Sequence, residues 1–356
     1  MTYSTWIVDT QTGVRQRLVK PVSGSWERAL NGVSQGSHVF RLNDTLSWQQ
    51  WNDLYDGWRR MLVVCWDDVV VYAGFILKTD YDYPKNQVTV SHATFRSVLS
   101  RRLPFPIGGY ATGLLTATNQ SLRGIVYKLI FVGTQGARSG VWDLPVTFPA
   151  YEEAGTENRR YENFAFQTIE AAITELTNTE NGPDIDFRPY WASDGTLKHE
   201  LRVGDPYLTG PDFEFDATSR RRSLLLRYLT TDFSQLVTGV FTLGKGSGEI
   251  KKHGEDVSGV VAGGYIALDV TRSYTQLEDQ GDLDAHAREE IRLYKEPIRQ
   301  RAAAVIASKW LPYARPGSNV RVHTAANDWR PAESVDLRVV AYSGDIKSGL
   351  ITLKVA

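Results

Sequence analysis

One cysteine, Cys65, and two methionines are all the sulfur in 356 residues. A lone thiol cannot close an internal disulfide, which excludes a disulfide-stapled secreted scaffold. No apolar run approaches the roughly 18–20 residues that a membrane-spanning helix needs. The stretch Met1–Asp9 has no basic segment followed by a long apolar one, so no signal peptide is visible. The expectation is a chain made and folded in the cytoplasm, without membrane binding. Excess charge is missing too: the formal net charge is −1. That removes any global electrostatic case for nucleic acid or an anionic lipid surface.

Aromatic residues, by contrast, are plentiful, with 10 Trp and 17 Tyr. Large amphipathic rings suit half-buried sheets and protein interfaces, and they suit a sugar-binding surface almost as well. The length allows two or three domains with real cores.

Along the chain, the first hundred residues read as a β-meander with one short helix. Val19–Gly24 and Ser37–Leu42 carry strand-like patterning. Ser47-Trp48-Gln49-Gln50 is a capping box, a serine cap with glutamine at N3. Trp48, Trp51, Leu54, Tyr55 and Trp58 then recur at helical spacing and predict one aromatic face. Met61–Trp66 and Val69–Leu77 are β-rich runs separated only by Asp67-Asp68, which reads as a tight hairpin. Gln87–His92 supplies a further strand, and a small barrel would bury these runs.

From Thr94 the period changes. Phe95, Val98, Leu99 and Arg102 predict a short helix ended by Pro104. Leu122, Ile125, Val126, Leu129 and Ile130 predict an amphipathic helix closed by Gly133, and Phe166, Ile169, Ile173 and Leu176 another. Strands return at Asp186–Pro189, Leu197–Val203 and Ser223–Leu229, with Asp194-Gly195 as a hairpin turn. Asp282–Tyr294 is helical, with Leu283, Ala287, Ile291 and Tyr294 on one face. Arg301–Ala307, Val320–His323, Leu337–Tyr342 and Leu350–Val355 complete a C-terminal β unit.

Reactive constellations are absent from this pattern. A cysteine peptidase needs a thiolate beside an imidazole, but Cys65 sits mid-strand and reads as a buried structural thiol. The six histidines (His38, His92, His199, His253, His286, His323) show neither a His-Glu-x-x-His motif nor a close pair. His286 and Glu290 read as a solvated i,i+4 pair, and the doublets Glu152-Glu153 and Glu289-Glu290 as solvated acids. Gly244–Gly248 lacks the spacing of a phosphate-cradling loop and reads as a flexible turn. Arg220–Arg222, the densest basic cluster, reads as an interface or a solvated edge. No catalytic residue, cofactor or metal site is expected, and the chain is read as a non-enzyme.

The most specific segment is Gly182-Pro183-Asp184-Ile185-Asp186-Phe187-Arg188-Pro189-Tyr190-Trp191. It is followed by Asp194-Gly195-Thr196-Leu197 and Leu201-Arg202-Val203-Gly204-Asp205-Pro206. Physically this is a helix stop, a strand, a turn, a second strand and a Gly-Pro exit. The arrangement resembles the minor tail or tail-hub proteins of long-tailed bacteriophages, especially those of actinobacterial hosts. Trp26–Phe40, the hairpin through Val71–Ile76, the acidic helix and Val339–Asp345 with Leu350–Val355 are similar to other parts of that family. The structural motif residues on this reading are Gly182, Pro183, Asp184, Phe187, Pro189, Trp191, Gly195, Gly204 and Pro206.

The resemblance implies an α+β, β-dominated fold like the baseplate hub of contractile phages: two small β-barrels plus an α/β portion. Residues 1–95 would form the first barrel and 96–215 the α/β middle. Residues 216–245 with 298–356 would form the second barrel, and 246–297 an excursion packing on the middle. No appended lysozyme, peptidase or receptor-binding domain is expected. The function implied is that of a homotrimeric, ring-forming tail hub at the distal end of the virion tail. Its partners would be itself, the distal tail or tail tube protein, tail-tip or receptor-binding proteins and the tape measure protein. Genome DNA would only pass through the lumen. Two rivals stay open: a host-surface carbohydrate-binding tail protein, and a peptidoglycan-degrading enzyme with a cryptic carboxylate pair.

Overall fold

The computed structural model describes residues 3–106, 108–136, 143–218, 224–258, 265–275, 277–311, 313 and 315–356. Seven strands open the chain: β1 (Tyr3–Asp9), β2 (Arg15–Val19), β3 (Ser23–Ala29), β4 (Gln35–Arg41), β5 (Arg60–Trp66), β6 (Val69–Asp82) and β7 (Gln87–Ala93). They lie in the order β2-β1-β5-β6-β7-β4-β3, antiparallel throughout. Asp67 and Asp68 both take positive φ (45° and 64°), as a two-residue primed hairpin turn requires. All seven residues of β5 are buried because the strand feeds two cores. Leu62, Val64 and Trp66 face one cluster; Met61, Val63 and Cys65 face the other.

Helix α1 (Trp48–Leu54) starts at the expected capping box. The Ser47 hydroxyl accepts from Gln50 N, and the Gln50 side chain accepts from Ser47 N at 2.8 Å. The expected aromatic face is corrected in two places. The helix stops at Leu54, so Trp58 lies beyond it and packs on Phe75 instead. Trp48 points to solvent, 70% exposed, while Leu54 and Tyr55 are buried.

The middle region carries α2 (Arg96–Leu99), α3 (Leu122–Phe131) and α4 (Ile169–Thr177). Its strands are β8 (Leu114–Gln120), β9 (Val146–Thr147), β10 (Glu157–Glu162), β11 (Ile185–Trp191) and β12 (Leu197–Val203). Ser121 and Thr168 cap α3 and α4 with their side-chain oxygens. The apolar faces of these helices join Val63, Cys65, Phe75 and Phe187 in the second core. Pro189 is tolerated in β11 because that strand pairs on one side only, with β12, leaving no ladder bond for the missing N–H to break.

Five strands follow the middle region and its exit: β13 (Phe213–Asp216), β14 (Leu224–Asp232), β15 (Gly239–Leu243), β16 (His253–Val257) and β17 (Asp269–Ser273). The last three form a small sheet, β16-β15-β17, covered by α5 (Gln280–Tyr294), whose Ala287 and Ile291 meet Val237 and Val240. The chain closes with β18 (Ile298–Ile306), α6 (Ala307–Trp310), β19 (Asn319–Thr324), β20 (Glu333–Asp345) and β21 (Leu350–Val355).

Strand β20 decides the architecture. Its first half pairs with β19, from Glu333 to Arg338. Its last five residues pair with β3, Ala341 opposite Ala29 through Asp345 opposite Ser25. Its other edge carries β21, which continues through β18 to β14. Both β units therefore merge into one 13-stranded sheet. One core runs through both, from Ile7, Trp26 and Tyr72 to Trp310, Tyr342 and Leu353. Where two small barrels were expected, the structure has two halves of one sheet, and no pairing among the described residues closes either half into a cylinder.

Candidate functional site

The segment that stood out in the sequence lies where three parts of the chain meet. On β3, alternate residues Gly24, Trp26 and Arg28 point inward, which carries a guanidinium into the interior. Arg28 Nη2 donates to both oxygens of Asp186, at 2.9 and 2.7 Å, and Nη1 to the Tyr342 hydroxyl at 3.0 Å. Arg202 donates to the same Asp186 at 3.1 Å. Burial works against the Arg28 charge, but Asp186 and Tyr342 outweigh it and raise its pKa.

Two residues away, Asp184 accepts from Asn31 at 2.8 Å, from Leu208 N at 2.9 Å and from Arg338 of β20. Asn31 in turn accepts from Ile185 N at 2.7 Å. Asp186 on β11 and Asp184 just before it thus clamp β3 and β20 beside their mutual pairing.

The other motif residues frame this junction. The Gly182 amide donates to Thr179 O, ending the α4 turn, and the Pro183 carbonyl accepts from Thr177 Oγ1. The Pro206 carbonyl accepts from Asp184 N, and the Gly204 amide donates to Asp184 O, both at 2.8 Å. Phe187 stacks on Phe95 at 4.7 Å, and Pro189 stands opposite His199. Trp191 lies 4.0 Å beneath the Arg15 guanidinium, away from the clamp. Gly195, at φ 80°, forms the β11–β12 turn. Sequence reasoning singled out Asp184 but not its partners Asn31 and Arg338, nor Arg28, the partner of Asp186; each lies more than 150 positions from the carboxylate it bonds.

A second buried polar group was missed altogether. The Tyr72 hydroxyl contacts His92 Nδ1 at 2.7 Å, and His92 Nε2 contacts His38 Nδ1 at 2.8 Å. A Cβ at Gly24 would fall 2.1 Å from the His38 ring, and one at Gly36 2.3 Å from the His92 ring, so both glycines are room for imidazole. Burial drives both rings toward the neutral form, His38 down to about 4. The signal lay in strand pairing: Gly36 faces His92, two residues from His38.

Three readings of surface groups change. His286 is buried and stacks on Tyr274 at 4.1 Å, and Glu290 is buried against Arg272 at 2.7 Å, so they are not a solvated pair. Glu289 is likewise buried, held by Arg292 at 2.6 Å, because this side of α5 lies against the body. Glu153 bonds Ser121 and Arg123, and Glu152 bonds Lys128.

Burial pushes the Cys65 thiol up to about 11, the opposite of an activated nucleophile. In the Gly244–Gly248 turn, the amides of Gly244 and Lys245 are bonded to Lys252 O and Leu277 O. No group of three metal-ligating side chains occurs among the described residues. No helix among them is long and apolar enough to cross a membrane. Arg220–Arg222 lie outside the described residues.

What the surface does offer is sheet edge and aromatic rings. The large sheet ends at β2 and β14, each paired on one side only. Tyr228 on β14 is 70% exposed. A groove of about 950 Å3 between α1 and the β6–β7 hairpin is bordered by Trp48, Trp51, Tyr81 and Tyr83.

No protein family and no curated protein matches the chain. Solved structures do. A tail protein from Neisseria meningitidis MC58 superimposes with TM-score 0.58 at 13% identity, covering 100% of this chain and 96% of that one. The 43 kDa tail protein of prophage MuSo2 from Shewanella oneidensis gives 0.58 at 8% identity, covering 99% and 98%. An E. coli type VI secretion component, described as similar to bacteriophage T4 tail proteins gp27 and gp5, gives 0.50 at 12%, covering 99% and 76%. At these identities the likeness is one of fold. The chain has the α+β, β-dominated fold of phage tail and baseplate-hub proteins, along its whole length.

Proposed function

We propose that this protein is a structural subunit of a phage tail, a ring-forming hub that joins the tail tube or distal tail ring to the tail tip. The observation that carries the reading is the seam between β3 and β20. It fuses two β units into one continuous sheet, so a single subunit offers two comparable segments of wall. Three copies would present six such segments, suited to a sixfold tube on one side and a threefold tip on the other. Open edges at β2 and β14 supply unpaired backbone for neighbours. The full-length likeness to two tail proteins supports the same role.

On this proposal the boundaries near residues 95, 215, 245 and 297 separate the wall segments from the middle region and the excursion. The residues Gly182–Pro206 serve as internal framework and not as a contact surface. The protein is not a catalyst; its work is assembly, and its distal-tail and tip partners bind through the sheet edges and the aromatic groove. DNA passes a lumen of low net charge without adhering.

The test is direct. Native mass measurement of the chain with its distal tail protein, and imaging of the assembly, should give threefold rings. A protein absent from purified virions is not a hub, and that result ends the proposal.

A further inference from the structure

Strand β2 is an open edge with an unbalanced composition. Among the described residues it pairs with β1 only, so its outer side leaves backbone N–H and C=O groups without a strand partner. Arg17, Leu18 and Val19 stand in unbroken register opposite Ile7, Trp6 and Thr5, which gives the edge a regular run of backbone. No residue of β2 is buried. Leu18 is 55% exposed, and Val14 and Val22 on either side of the strand are exposed too.

Between Asp9 and Glu27 the chain has three cations, Arg15, Arg17 and Lys20, and no carboxylate. Arg15 lies over the rings of Trp6 and Trp191, at 5.0 and 4.0 Å. Arg17 and Lys20 have no ion-pair partner among the described residues. Other exposed cations are matched: Arg59 to Asp56 at 3.0 Å, Lys85 to Asp82 at 2.8 Å and Arg321 to Asp336 at 2.7 Å. The β2 edge therefore combines open backbone, exposed apolar side chains and unmatched positive charge.

Basic residues on an edge keep like edges apart. Two β2 strands meeting would set cation against cation, and like charges opposite each other are destabilising. The other open edge, β14, brings Arg227 and a single acid, Asp232, with a register shift between Leu226 and Tyr228, so that edge of a second copy offers no complement. The complement of Leu18 flanked by Arg17 and Lys20 is an extended segment that alternates apolar and acidic residues. Main-chain bonds would hold it, and the charges would select it.

We propose that β2 accepts an acidic, extended segment of a neighbouring tail protein as a further strand of the large sheet. Arg17 and Lys20 pair with its carboxylates, and Leu18 covers its apolar residues. The inference rests on the hub reading for the partner being a tail protein, and deepens it by giving one sheet edge a ligand chemistry.

To test it, the full chain is offered to overlapping short peptides that span the tail proteins of the same phage and the chain itself. The strongest ligand is then titrated calorimetrically against the native chain, the double variant Arg17→Glu with Lys20→Glu, and Trp48→Ala. Expected is retention of acidic, alternating peptides, weakened about tenfold by the double reversal and weakened by added salt. Trp48→Ala should leave binding unchanged, and all variants should keep the native melting temperature. Amides of residues 15–19 should gain protection from hydrogen exchange in the bound state. Retention of no peptide, or only of this chain's own peptides, overturns the proposal. So does binding that ignores the double reversal, leaves the β2 amides unprotected, or is displaced by a DNA oligonucleotide. Threefold rings without such binding would sink this inference and spare the hub; binding without rings would do the reverse.

Discussion

At the seam between the halves of the large sheet, the side chains of Arg28 and Asp186 are 6% and 3% exposed. Where α5 meets the turn after α4, the ion pair of Arg288 with Glu180 is 51% and 42% exposed. Both contacts join distant stretches of chain through a guanidinium and a carboxylate. Their physics differs because water screens the second pair and not the first. The seam is also over-determined: Asp186 serves Arg28 and Arg202, and Asp184 serves Asn31, Arg338 and Leu208 N. The module has fewer ties, chiefly Arg288–Glu180, Arg159–Asp282 and the contact of His286 with the Asn178 carbonyl at 3.3 Å. On the proposed hub role, a ring wall must hold its shape, and a peripheral module need not.

The contrast breaks first at Asp186. Asp186→Ala leaves Arg28 buried without its counter-ion, and loss of one member of such a pair costs about 3–5 kcal/mol. Chemical denaturation should show this loss, and a cost under about 1 kcal/mol would mean that water reaches the seam.

Acid probes the same interior. Burial depresses His38 and His286 to about 4 and His199 to about 3 in the folded state, against roughly 6.5 unfolded. The unfolded chain therefore takes up protons first. Stability should fall as pH drops below about 6.5 and continue falling toward about pH 4. Thermal melts from pH 7 to pH 4 read this directly, and a flat profile would contradict neutral buried imidazoles.

Ser47→Ala removes a side-chain cap from an exposed helix end and should cost about 1 kcal/mol. The smallest effect is expected at the module: Arg288→Ala should cost at most about 1 kcal/mol. Its melting curve should nearly overlay that of the native chain, while hydrogen exchange in α5 quickens. If Arg288→Ala matched Asp186→Ala, the proposed difference between the two contacts would be gone.

Much of the local structure was legible. The Ser47–Gln50 box, the Asp67-Asp68 turn, the all-apolar β5 and the α5 face of Leu283, Ala287 and Ile291 depend on neighbours within a turn or a strand. The misreadings share a cause. His286, Glu289 and Glu290 looked solvated because they flank that apolar face, and only the packing of α5 against the rest of the chain buries them. Trp48 and Trp58 were read onto one helical face with Leu54 and Tyr55, but spacing cannot say where the helix stops or how far a core extends.

By itself the sequence determined where strands and helices form, that no activated thiol or close histidine motif is spelled out, and that the stretch from Gly182 to Pro206 is distinctive. Those properties follow from side-chain period, turn chemistry and spacing, all local quantities. Only tertiary structure decided that β3 pairs with β20, that Arg28 meets Asp186 across 158 positions, and that His38 meets His92 across 54. Such contacts depend on which apolar faces find each other, and alternation along one strand carries no label for its neighbour.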